Sequence, residues 1–132
     1  MKKEIKEELK RLGISIIYLF GSRVTGGGNK LSDIDIGVVL KDLPSSDDTR
    51  ILFNALYKLF SRLYPNSKID IVFLQKAPLS LQYSAIKDGK VLFEEDSILT
   101  ADYECRVVNQ YLDFRPVLDF FDNVGMERYA QN

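Results

Sequence analysis

Apolar positions recur along this chain with two different periods, and the changes of period mark its elements. Ile5, Leu9 and Leu12 fall at helical spacing, so a helix is expected from Lys2 to Leu12, with Gly13 placed at C′ to end it. Ser15 to Phe20 is β-branched and aromatic and stops at Gly21-Ser22, which predicts a strand feeding a glycine-rich turn through Gly26-Gly27-Gly28-Asn29. A second strand is expected from Asp33 to Leu40. Pro44-Ser45-Ser46-Asp47 then begins a helix that carries Leu52, Leu56, Leu59, Phe60 and Leu63 on one face, which is a core face. Tyr64-Pro65-Asn66-Ser67 stops that helix. Ile69 to Leu74 reads as a third strand, with Ile69, Ile71 and Phe73 alternating against Asp70, Val72 and Leu74. A helix over Pro78 to Lys87, a turn at Asp88-Gly89 and a short edge strand at Val91 to Phe93 follow. From Thr100 a long helical segment is predicted, broken or bent at Pro116.

This alternation predicts an α/β (α+β) fold with a C-terminal helical segment. A length of 132 residues with 45% apolar content suits one domain, 1–132. The longest apolar stretches fall far short of the ~20 residues that span a bilayer, and the opening MKKEIKEELKRLG has no signal-peptide apolar region. A cytoplasmic protein without membrane contact is expected. The one cysteine, Cys105, cannot form an internal disulfide, which agrees with a reducing compartment.

Charge and histidine content narrow the chemistry. A formal net charge of −1 supplies no basic field to release counterions from a polynucleotide, so no stable nucleic-acid binding is expected. The chain has no histidine, which removes Ser-His-Asp and Cys-His catalysis, HExxH metal sites and any histidine base. Carboxylates and metal must then carry any catalysis.

Asp33 and Asp35, two apart in a strand, leave the same face, while Ile34 and Ile36 point into the other. Gly37 continues the acidic face and is expected to leave space beneath the carboxylates. Asp70 lies in the other strand that sets an acid among apolar residues, and adjacent pairing would let three carboxylates converge. Two unit charges ~4 Å apart repel by roughly 4 kcal/mol at an effective dielectric of 20, so such a cluster calls for cations. Oxygen-only ligands suit Mg²⁺ or Mn²⁺, and two ions ~3.5–4 Å apart can clamp the attacking and leaving oxygens of a phosphoryl group. Gly21 permits close backbone approach to phosphate and Ser22 offers a hydroxyl, with the amides of a following short helix aimed at the anion. Neither the Walker pattern nor GxGxxG is present.

Gly21-Ser22, ten intervening residues and then Asp33-Ile34-Asp35 resembles the GS-x10-DxD signature of the DNA polymerase β-like nucleotidyltransferases. Asp70, in Lys68-Ile69-Asp70-Ile71-Val72, falls where that family carries its third carboxylate. The short tail, with Asp102-Tyr103-Glu104-Cys105-Arg106-Val107 and Tyr111-Leu112-Asp113-Phe114-Arg115-Pro116, is similar to that of the minimal nucleotidyltransferase (MNT) antitoxins, which pair with HEPN-domain ribonuclease toxins. The resemblance implies a polymerase β-like catalytic core over 1–96, a small mixed sheet flanked by helices, and a helical tail over 97–132. It also implies AMP transfer from ATP onto a tyrosine of a HEPN toxin, silencing it. Asp33 and Asp35 would ligate the metal that holds the triphosphate, Asp70 with a second Mg²⁺ would help deprotonate the attacking hydroxyl, and Gly21 and Ser22 would hold the β and γ phosphates. Arg23 and Lys30 are further candidates for phosphate or leaving-group contacts, with nothing in their spacing to fix the role.

Each signal has a plainer reading. Asp33 and Asp35 could be a solvated strand start, Asp70 an exposed strand residue paired with Lys68, and Gly26 to Gly28 a flexible connector, as which they are left out of the site. The tail stripe Tyr103, Val107, Tyr111, Phe114, Leu118 and Phe121 could roof the sheet or bind another protein. Two functional alternatives also stand: an antitoxin that neutralises by occlusion without catalysis, and transfer to a small molecule such as an aminoglycoside or to an RNA end.

Overall fold

A computed structural model describes residues 2–20 and 33–130, with side chains through residue 113. Helix α1 (Lys3–Arg11) ends as its sequence dictates: Leu12 is the C-cap, and Gly13 takes φ +79°, a left-handed conformation that favours glycine. The Gly13 N–H donates to the Lys10 carbonyl at 3.1 Å. Strand β1 (Ile14–Phe20) follows, then β2 (Asp33–Leu40). Ser45 caps helix α2 (Ser46–Leu63), its hydroxyl accepting from the Asp48 N–H at 3.3 Å. Asp47 and Asp48 add charge of the favourable sign to the first turn.

Strand β3 (Lys68–Phe73) stops one residue earlier than the alternation suggested. Leu74 instead opens a one-turn 3₁₀ helix, Leu74–Lys76, and is fully buried. Helix α3 (Leu79–Asp88), strand β4 (Lys90–Glu94) and helix α4 (Ser97–Ala130) complete the order. Asp96 fixes the start of α4: its carboxylate accepts from the Ile98 N–H at 2.8 Å and its carbonyl from the Thr100 N–H at 3.1 Å. The helix therefore begins before Thr100, and it runs through Pro116 without the expected break. Among the described residues, no helix is long and apolar enough to cross a membrane.

The four described strands form one mixed sheet in the order β3-β2-β1-β4. β1 is antiparallel to both β2 and β4, whereas β2 and β3 are parallel, with α2 as the crossover between them. Period-2 side chains divide the sheet into two faces. Ile17, Ile34, Ile36, Val38, Leu40, Ile69 and Ile71 pack with Leu9 of α1 and Leu56, Leu59 and Phe60 of α2. On the opposite face, Ile16, Tyr18, Val39 and Leu74 pack with Ala85 of α3 and Tyr103 and Val107 of α4.

The tail stripe is partly settled by this arrangement. Tyr103 and Val107 are buried under α4, and Tyr111 stacks on Tyr83 of α3 with ring centroids 4.0 Å apart. Tyr103 and Val107 roof the sheet, and Tyr111 packs α4 against α3. The side chains of Phe114, Leu118 and Phe121 lie outside the described residues.

Candidate functional site

The acids lie where β1 ends and β2 and β3 begin. In the parallel pair, Asp33 stands opposite Lys68, Ile34 opposite Ile69 and Asp35 opposite Asp70. Neighbouring strands run about 4.7–4.9 Å apart, so Asp35 and Asp70 sit side by side on one face, with Asp33 one pleat further along. The isoleucines between them, Ile34 and Ile69, are buried on the other face, and this fixes the register, because a one-residue slip would bury the acids. In the antiparallel pair, Phe20 stands opposite Asp35. β1 thus ends beside the carboxylates, one residue before Gly21 in the sequence. Gly21 and Ser22, together with Arg23, Gly26 to Gly28 and Lys30, lie outside the described residues.

Asp33 and Asp70 are exposed and Asp35 is half-buried. Desolvation raises the Asp35 carboxyl above its ordinary value, and the negative charges of Asp70 and then Asp33 push it the same way. A cation would reverse all three effects. The donor set, carboxylate oxygen alone, fits a hard divalent ion. Among the described residues, however, no three acidic, histidine or cysteine side chains are already closed around a single point. The register brings Asp35 and Asp70 together and Asp33 beside them; it does not by itself make a three-ligand cage.

One expectation about this face changes. Gly37 does not leave open space: a Cβ built there would lie 2.9 Å from Leu74 Cδ1 and 3.0 Å from Phe20 Cε1. The missing side chain is filled from both neighbouring segments, and these apolar groups floor the acidic patch. Lys68, the partner in the plainer reading of Asp70, stands across the ladder from Asp33. It places one positive charge at the rim of the patch, a position visible only once the strand register is known.

Other polar groups hold the cover in place. The Gln75 amide pairs with the backbone of Leu40 in both directions, accepting from its N–H at 2.8 Å and donating to its carbonyl at 2.7 Å, as a neighbouring strand would. Tyr18 donates from its hydroxyl to Glu104 Oε1 at 2.7 Å, tying β1 to α4. Burial first, and then that carboxylate, raise the Tyr18 phenol far above its ordinary value, so it is a donor at every working pH. The periodicity carried no sign of either contact. A cavity of about 680 Å³ opens at the far end of the same face, beside Val39, Gln75, Tyr103 and Arg106, and includes none of the three carboxylates.

Residues 3–98 match the family described as polymerase beta, nucleotidyltransferase. None of the curated proteins matches the chain. Among solved structures, a chain of a toxin-antitoxin with AMP-PNP is 24% identical, with a TM-score of 0.68 over 92% of this chain and 95% of that one. A chain of the Shewanella oneidensis complex of a tri-AMPylated HEPN toxin with its MNT antitoxin is 21% identical, with a TM-score of 0.61 over 94% and 98%. A chain of the MntA-HepT toxin-antitoxin is 21% identical, with a TM-score of 0.60 over 93% and 98%. At these identities the likeness is one of fold. The family match covers most of the chain and contains Asp33, Asp35 and Asp70, and the chain belongs to the polymerase beta nucleotidyltransferase family.

Proposed function

We propose that the chain is an antitoxin that transfers AMP from ATP onto a tyrosine hydroxyl of a HEPN ribonuclease toxin in the cytoplasm, and so neutralises it. The observation that carries this reading is the register of Asp35 with Asp70, beside Asp33, at the end of a sheet whose first strand is followed in sequence by Gly21-Ser22. The similar folds, solved with AMP-PNP and with a tri-AMPylated HEPN toxin, support the choice of nucleotide and acceptor. Catalysis is assigned to residues 1–96.

Asp33, Asp35 and Asp70 would hold Mg²⁺, which when bound neutralises the phosphates and lowers the pKa of a coordinated hydroxyl. Gly21 and Ser22 hold the β and γ phosphates. Asp70 accepts the tyrosine proton as the phenolic oxygen bonds to the α-phosphorus. The bond from that phosphorus to the β-phosphate oxygen breaks, and pyrophosphate leaves. Phe20, Gly37 and Leu74 keep the floor of the site apolar, which strengthens the charge interactions above it.

The test is mass spectrometry of a co-expressed HEPN partner after incubation with this chain, ATP and Mg²⁺. One or more AMP units should appear on a tyrosine. Asp35→Ala should lower the transfer rate by about 100-fold or more while complex formation persists. An unmodified partner in the presence of bound ATP, or full neutralisation by Asp35→Ala, would assign the chain to occlusion instead.

A further inference from the structure

Of the charged residues that begin β2 and β3 on one face of the sheet, Asp33, Asp35 and Asp70 have work in the proposed reaction and Lys68 has none. Alternation puts Lys68 on the same face as Asp70, one pleat or ~6.6 Å before it along the strand, and the ladder sets it across from Asp33. It is exposed, and among the described residues no ion pair engages it. β3 stands at one end of the strand order, so no described strand covers its outer edge. Lys68 is therefore a cation held at a fixed distance from three carboxylates and open to whatever approaches over that edge.

In that reaction the acceptor is what approaches. Gly21 is bonded to Phe20, which pairs with Asp35, so a triphosphate held by Gly21 and Ser22 lies toward β1. Attacking and leaving oxygens stand roughly in line across the phosphorus. With pyrophosphate leaving toward β1, the hydroxyl arrives from the β3 side, over Asp70 and past Lys68. The first acceptor, a tyrosine hydroxyl, brings no charge of its own. Once it has reacted, the attached AMP offers ribose hydroxyls, again acceptors of the same class, and one ribose away from them a phosphodiester with one negative charge. The three carboxylates repel that charge and Lys68 attracts it. We propose that Lys68 binds this phosphodiester and seats the attached AMP as acceptor for the next transfer, an inference that rests on the function proposed above. The ribose oxygen then bonds to the α-phosphorus of a second ATP, its proton passes to Asp70, the bond to the β-phosphate oxygen breaks, and pyrophosphate leaves. Lys68 thereby sets how far addition continues beyond the first AMP.

The test follows the full-length chain, its HEPN partner, ATP and Mg²⁺ over time by intact-mass spectrometry, which separates the rate of the first addition from those of later ones. Lys68→Met keeps the apolar stem and removes the charge, and at an exposed position it should fold as the wild type does by circular dichroism. It should lower the ratio of second-addition to first-addition rate about tenfold, so that singly modified partner accumulates, and Lys68→Arg should restore the ratio. In the wild type, later additions should slow more steeply with NaCl than the first, and in Lys68→Met that difference should vanish, because an exposed charge pair is screened. A partner that the wild type modifies only once, or a ratio that Lys68→Met leaves unchanged, would overturn the proposal and leave Lys68 as an edge-strand charge that discourages strand pairing. An equal loss in first and later additions would also overturn it, and would assign Lys68 to the triphosphate or to an acidic group of the partner. A partner that the wild type leaves unmodified would overturn the proposed function itself, and this inference with it.

Discussion

On the α1/α2 face of the sheet, the inward residues of β2 and β3 are Ile34, Ile36, Val38, Leu40, Ile69, Ile71 and Phe73, apolar from end to end. On the α3/α4 face the same two strands begin with Asp33, Asp35, Lys68 and Asp70, and turn apolar only at Val39 and Val72. The first face is closed and the second is covered for part of its length. The difference separates two tasks that the strands perform at once. One face holds the sheet in register by burying every alternate residue. The other can then present charged groups at a fixed spacing, because it does not have to supply the stability that holds them there.

The comparison is most severely tested on the closed face. Phe60 of α2 is fully buried in that cluster. Phe60→Ala should cost about 3–5 kcal/mol in denaturant unfolding, while activity per folded molecule stays near wild type. A loss of activity in the folded fraction as large as the loss of stability would mean the two faces are not separable.

Gly37 is the corresponding test on the open face, where floor and fold meet. The Cβ of Gly37→Val would press on Leu74 and Phe20, and the crowding should cost about 1–3 kcal/mol. Unlike Phe60→Ala, it should also lower activity in the folded fraction, because Phe20 pairs directly opposite Asp35. Equal activity per folded molecule in the two variants would remove the apolar floor from the account of the site. Tyr18→Phe probes the cover itself: it deletes the hydrogen bond to Glu104 and should cost about 1 kcal/mol by the same unfolding measurement. No change would show that apolar packing alone seats α4.

The pattern of side chains told the two faces apart before any coordinates did. Ile34 and Ile36 against Asp33 and Asp35 fix the inside and outside of β2, because alternation is a property of the extended backbone. Neighbouring contacts are another matter. Which residue of β3 stands beside Asp35 depends on register, which the pattern of one strand does not state; the ladder sets Asp35 beside Asp70 and Asp33 beside Lys68. Leu74 continued the alternation in the sequence, but β3 ends at Phe73, and it is from the 3₁₀ turn that Leu74 folds over Gly37. Pro116 reads as a helix breaker, yet α4 passes through it. Asp33, Asp35 and Asp70 were proposed from sequence because their type, spacing and apolar neighbours all agreed, and the register sets them close together. Gly21 and Ser22 were proposed from sequence too, and lie outside the described residues.

The smallest expected effect bears on why the open face tolerates three acids. Burial, Asp70 and Asp33 all raise the Asp35 carboxyl, so the folded protein holds that proton more tightly than the unfolded chain does. The stability linked to the proton is fully present below about pH 3.9, the unfolded value, and is lost as pH rises through the higher folded one. At neutral pH without divalent cation, the ionised carboxylate therefore opposes folding. Asp35→Asn keeps the shape and removes the charge. It should unfold at a slightly higher urea concentration than wild type at pH 7, and the advantage should vanish near pH 3. Water screens a half-buried group, so the shift should be the smallest of the four. Mg²⁺ should raise the wild-type midpoint and leave that of the variant nearly unchanged. A variant less stable than wild type at pH 7 in the absence of Mg²⁺ would mean that the protein already holds the Asp35 charge with a partner of its own, and that the acidic end of the sheet does not call for an ion.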